Sequence, residues 1–73
     1  MVIVMLADFH FCNRIRSYRE ALGLTQSELA SKVGVSKNAI SSFERKEYFP
    51  SAMTALYLCV ALGCSFEDLF YLE

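Results

Sequence analysis

Apolar residues in this chain recur three and four places apart, and glycine or a small polar residue breaks the rhythm at intervals. Ile15, Tyr18, Arg19 and Leu22 share one face of a helix predicted from about Asn13 to Leu22, which Gly23 ends. An earlier start, capped by Asp8, fits the same pattern. Thr25-Gln26-Ser27-Glu28 has the form of a capping box and opens a second helix from Gln26 to about Val33, with Leu29, Ala30 and Val33 inward. Gly34 follows, where a left-handed turn calls for a residue without Cβ. Ser36 caps a third helix, Lys37 to about Glu44, whose core-ward residues are Ile40 and Phe43. Arg45 to Phe49 reads as a charged and aromatic loop. Pro50-Ser51 starts a fourth helix, Ala52 to Leu62, stopped by Gly63. Ser65-Phe66-Glu67-Asp68 opens a short fifth helix ending near Tyr71.

Two short helices joined by a tight glycine turn form a helix-turn-helix unit. Five helices account for most of the chain, and no useful period-2 alternation follows residue 6, so the expected fold class is all-α. The opening run MVIVML is short and β-branched, and reads either as a strand or as a disordered tail. It is too short to span a membrane and lacks the basic residue that precedes a secretory signal, so no membrane association is expected. Residues 1–12 thus form an apolar extension, and 13–71 a single helical domain.

The net charge of −1 does not announce a polyanionic partner, but its distribution changes the picture. All seven basic residues lie within 13–46, against three acids there, whereas 47–73 holds four acids and no base. One half of the surface suits an anionic polymer and the other does not. The three cysteines, Cys12, Cys59 and Cys64, include no close pair with zinc-ligand spacing, so no metal is expected. An odd number of thiols, two of them in an apolar run, fits a reduced cytoplasmic chain. At 73 residues a large enclosed catalytic pocket is not expected, and no nucleophile set, phosphate loop or paired-carboxylate site is visible. His10 stands apart from the helical pattern. No enzyme activity and no cofactor are expected.

Gly23-Leu24-Thr25-Gln26-Ser27-Glu28-Leu29-Ala30, then Gly34-Val35-Ser36, then Ile40-Ser41-Ser42-Phe43-Glu44 resemble the Xre/Cro/phage-repressor helix-turn-helix family. Pro50-Ser51, Ala61-Leu62-Gly63 and Asp68-Leu69-Phe70 continue the pattern, which covers about residues 13–71. The resemblance implies a five-helix DNA-binding domain acting on double-stranded DNA as a transcriptional regulator, most simply a dimeric repressor. The alternative is a helix-turn-helix interaction protein or antitoxin acting mainly through a protein partner.

The major groove admits one helix and displays a distinct pattern for each base pair. Lys37, Asn38, Ser41 and Ser42, on the outer side of the third helix, are the candidate base-reading residues, Lys37 suiting guanine acceptors and Asn38 the adenine edge. The resemblance places Gln26 on a backbone phosphate; Ser36, as the cap, and the cations Arg45, Lys46 and Arg14 are this chain's further candidate phosphate donors. Arg16 shares Arg14's alternatives, phosphate contact or plain solvation. Family members with an arginine and glutamate at the positions of Arg19 and Glu44 join them in a partly buried ion pair. Where the family usually has Asn-Gly after that glutamate, this chain has Arg45-Lys46, which puts the usual left-handed turn in doubt and adds two cations beside the third helix.

The fourth helix also departs from the family pattern. Its inward positions are Ala55, Leu58, Cys59 and Leu62, yet Met53, Leu56, Tyr57 and Val60 on the other side are apolar too. A helix apolar all round calls for cover on both sides, from a second subunit or from MVIVML. The homodimer surface expected here comprises Met53, Leu56, Tyr57 and Val60, extended by Phe70 and Tyr71.

Overall fold

The computed structural model describes residues 5–73. After a 3₁₀ turn at Leu6–Asp8, the order is β1 (Phe11–Asn13), α1 (Ile15–Ala21), α2 (Gln26–Val33), α3 (Lys37–Glu44), α4 (Ala52–Leu62), α5 (Phe66–Leu69) and β2 (Phe70–Leu72). Among the described residues no helix is long and apolar enough to cross a membrane.

Local chemistry explains most of the boundaries. Thr25 Oγ1 accepts the Glu28 amide at 3.0 Å while Glu28 Oε1 accepts the Thr25 amide at 2.9 Å, a reciprocal cap that opens α2. The backbone and hydroxyl of Thr25 hold the Glu28 carboxyl below its ordinary range. Ser36 and Ser51 cap α3 and α4 through the amides of Ala39 and Thr54. A second reciprocal box, Ser65 with Asp68, starts α5.

Each helix contributes one fully buried side chain: Ile15, Leu29, Ile40, Leu58 and Leu69. Val33, Phe43, Ala55, Cys59, Leu62 and Phe70 close the core around them. Truncating any of the five to alanine would cost about 2–5 kcal/mol. A 73-residue domain holds only about 4–11 kcal/mol in total. Burial pushes the Cys59 and Cys64 thiols up, so they behave as small protonated hydrophobes.

Three sequence expectations change. First, α1 begins at Ile15, later than expected, because the residues before it belong to a strand. Asn13 Oδ1 accepts the Ile15 amide at 3.1 Å, and Asn13 Nδ2 donates to the Phe43 carbonyl at 2.9 Å. Asp8 lies in the 3₁₀ turn and caps nothing in α1. Leu22, beyond the helix end, is exposed.

Second, α5 stops at Leu69 and the chain turns into β2, which pairs antiparallel with β1 in the register Phe11↔Leu72, Cys12↔Tyr71, Asn13↔Phe70. Phe11 and Phe70 stack with ring centroids 5.4 Å apart, and the two aromatics favour the extended backbone there. The strand before α1 therefore lies at Phe11–Asn13. Of the apolar run MVIVML, residues 1–4 lie outside the described residues.

Third, the left-handed turn after α3 forms without glycine: Lys46 adopts φ +61°. The Lys46 amide donates to the Phe43 carbonyl at 3.0 Å and the Glu47 amide to the Ser42 carbonyl at 3.0 Å. The turn satisfies the last carbonyls of α3 at the expense of a strained lysine.

Candidate nucleic-acid interface

Gly34, Val35 and Ser36 alone separate α2 from α3, and Gly34 takes φ +77° to make that turn. The turn brings the start of α2 and the outer side of α3 onto one surface. Lys37 and Asn38, in the first turn of α3, are exposed, while Ser41 and Ser42 are half-buried one turn further on. Long side chains thus stand at the exposed start of α3, with short hydroxyls behind them. Ser36 Oγ accepts the Ala39 amide at 3.0 Å, which leaves its own hydroxyl proton for an outside acceptor.

A buried network fixes the relative positions of three helices. Arg19 Nε donates to Glu44 Oε2 at 2.7 Å and Nη2 to Oε1 at 3.2 Å, while Nη1 donates to the Leu24 carbonyl at 2.8 Å. The two side chains are only 11% and 5% exposed. The hydrogen bond to Glu44 raises the Arg19 guanidinium above its ordinary value, outweighing desolvation. Gln26 joins the same carboxylate, its Nε2 donating to Glu44 Oε1 at 3.1 Å. A carboxylate only accepts, so this contact fixes which end of the carboxamide points inward. The Gln26 carbonyl oxygen and second N–H stay available. Thr25 occupies the Glu28 amide, leaving the amides of Gln26 and Ser27 as the orphan donors of the helix start, where an anion is favoured.

The basic residues do not gather in one place. Arg16, Arg19, Gln26, Ser41, Glu44 and Arg45 surround one hollow of about 320 Å³. Arg45 Nη1 donates to the Ser41 hydroxyl, and Nη2 pairs with Glu47 at 3.1 Å. That pairing raises the Arg45 guanidinium and lowers the Glu47 carboxyl, both at an exposed position. Arg16 makes only a loose pair with Glu20 at 3.5 Å and is exposed.

Arg14, the α1 residue expected on a phosphate, lies elsewhere. Its guanidinium sits 4.0 Å over the Tyr71 ring and donates to the Asp68 carbonyl at 3.2 Å, clamping α5 and β2 to the start of α1. Arg16, with Arg19, is an α1 cation that lines the hollow. Lys46 is also separate from it, and borders a different cleft beside the strands. Two residues escaped the sequence reading. Glu47 competes for Arg45, and nothing local marks it, since the pair depends on the left-handed turn between them. Asn13, which ties α1 to the end of α3, falls in the strand the pattern did not reveal.

On the far side of α4, Met53, Leu56, Tyr57 and Val60 are 50–81% exposed. Phe70, expected on the same surface, is 3% exposed and belongs to the chain's own core. Tyr71, half-buried, lies under Arg14. Strand alternation points Phe70 inward and Tyr71 outward, where Arg14 covers its ring.

A family model described as helix-turn-helix matches residues 15–69. An uncharacterized HTH-type transcriptional regulator of Bacillus subtilis is 34% identical over 61 residues, covering 84% of this chain and 92% of that protein. One from Methanothermobacter thermautotrophicus is 45% identical over 60 residues, covering 81% and 87%. The P22 c2 repressor in complex with a synthetic operator superposes with a TM-score of 0.72 at 37% identity, covering 89% of this chain and 91% of that one.

Proposed function

The chain belongs to the Xre/Cro/phage-repressor helix-turn-helix family of DNA-binding transcriptional regulators, and from that premise we propose that it is a sequence-specific repressor acting as a homodimer on double-stranded DNA. Its family is one of regulators rather than enzymes. The observation that carries the reading is the Arg19–Glu44–Gln26 network. It orients a phosphate-binding carboxamide at the start of α2 while anchoring the end of the helix that presents Lys37 and Asn38. In this reading Gln26, Ser36, Arg16 and Arg45 hold the backbone, and Lys37, Asn38, Ser41 and Ser42 read the groove. Cytoplasmic residence follows from the same role.

Repression is favoured over activation by the likeness to the P22 repressor, 46% identical over 52 residues that cover 71% of this chain and 24% of that protein. Dimerisation is supported by α4. Met53, Leu56, Tyr57 and Val60 form one apolar stripe, and no charged residue occurs between Glu47 and Glu67. Burying each such side chain is worth about 1.5–3 kcal/mol, a large gain for a marginal domain. A two-fold contact through this stripe is self-complementary and sets two recognition helices about 34 Å apart, one turn of duplex.

Two measurements test the proposal. Lys37→Ala and Asn38→Ala should each cost about 1–3 kcal/mol at the cognate site and relax preference at one base pair. Equal losses on cognate and random DNA would remove the base-reading role. In sedimentation the intact chain should dimerise and a Tyr57→Lys, Val60→Glu variant should not. A chain that stays monomeric at high concentration would count against the dimer, and a chain that shows no salt-dependent binding to duplex DNA would favour the antitoxin or interaction reading.

A further inference from the structure

The cleft beside the two strands is built differently from the DNA-facing hollow. It encloses about 440 Å³ and is lined by His10, Phe11, Cys12, Lys46, Phe49 and Glu73. That volume is within the range of small-molecule sites, which combine apolar walls with a few convergent polar groups. Phe11 and Phe49 meet edge to face at 5.8 Å, and Phe49 is still 55% exposed, so an aromatic surface faces the opening. Lys46 has no acidic partner within ion-pair distance among the described residues. It is also the one non-glycine residue with positive φ among them. It lines the same cleft as the two rings.

We infer that this cleft binds a small aromatic monocarboxylate, its ring against Phe11 and Phe49 and its carboxylate on Lys46. The aromatic wall selects the ring through edge and offset stacking. The lysine selects the negative charge with a charge-assisted hydrogen bond. Glu73 on the same rim repels any negative charge, so a single charge placed on Lys46 is tolerated better there than a phosphate dianion. His10 supplies a further polar group beside the carboxylate. The site does not depend on DNA recognition, and its test contains no DNA, so either reading can fail without the other.

The experiment is a nitrogen–proton correlation titration of the full chain with phenylacetate, with the uncharged isostere 2-phenylacetamide and with inorganic phosphate. Phenylacetate should give saturable shifts at the amides of His10, Phe11, Lys46 and Phe49, with a Kd in the millimolar range. The amide should bind about tenfold more weakly, the size of one charged hydrogen bond, and phosphate should not saturate there. Lys46→Gln should abolish the preference for the acid, Lys46→Arg should keep it, and Phe49→Ala should weaken acid and amide alike. Dispersed spectra of the variants show that each remains folded. Shifts that do not saturate, that map instead to Arg16 and Arg45, or that survive Lys46→Gln unchanged would overturn the proposal.

Discussion

Removing one member of the Arg19–Glu44 pair tests how the fold supports the DNA-facing surface. In Glu44→Ala the guanidinium of Arg19 loses both hydrogen bonds to the carboxylate, at 2.7 and 3.2 Å, and keeps only the Leu24 carbonyl. Its side chain is 11% exposed, so water from the adjoining hollow replaces only part of what is lost. Breaking a buried pair from one side costs about 3–5 kcal/mol, against under about 1 kcal/mol for an exposed one. In a domain of this size each kcal/mol moves Tm by about 4–8 °C, so the melt should fall by at least about 12 °C. Arg19→Ala should be comparably damaging. The double variant should lose much less than the sum, because no charge is left stranded. Glu44→Ala also frees the Gln26 carboxamide, so whatever folded Glu44→Ala protein remains should bind DNA more weakly than wild type. Calorimetric melts of the two single variants and the double decide the matter. Small and additive losses would refute the reasoning and make the pair a surface contact.

Three other outcomes follow from the turn after α3 and from the hollow. Glu47→Gln releases Arg45 and should tighten binding to specific and random duplexes alike; salt titration by fluorescence anisotropy should show an equal or steeper slope, and weaker binding would mean that Arg45 points away from the duplex. Arg45→Ala should flatten the same salt slope by about one unit, and Arg14→Ala should leave it unchanged, because Arg14 is held over Tyr71. Lys46→Gly removes a left-handed lysine and should raise stability by about 1 kcal/mol in a denaturant melt, and a loss would show that the lysine makes contacts worth more than its strain.

What the chain reveals before folding divides by range. Caps and turns act over three or four residues, so Thr25 with Glu28, Ser36, Ser51, Gly34 and Gly63 mark α2, α3 and α4 almost to the residue. The inward positions of those helices follow from their period, and Leu29, Ile40 and Leu58 are fully buried. The strands escape because three residues are too few for a period of two and because their partners, Phe11 and Leu72, lie at opposite ends of the chain. Phe70 sits in an unbroken apolar run, where only the strand geometry decides which side chain faces in. Arg14 precedes α1 with a non-helical backbone and Arg16 lies in its first turn, so their side chains leave the chain in different directions. Which one faces DNA depends on the start of α1, and that start depends on the hidden strand. The turn at Lys46 was obscured because its signal, a glycine, is missing, although the hydrogen bonds that define the turn form regardless.

The central claim, sequence-specific reading by a paired α3, is tested most directly by selecting bound duplexes from a random pool with the full chain. The account predicts enrichment of an approximate palindrome whose half-sites are centred one helical turn, about 34 Å, apart, with Asn38→Ala relaxing the same position in both halves. Recovery of a pool no different from the input, under salt conditions where the chain still binds bulk DNA, would contradict it.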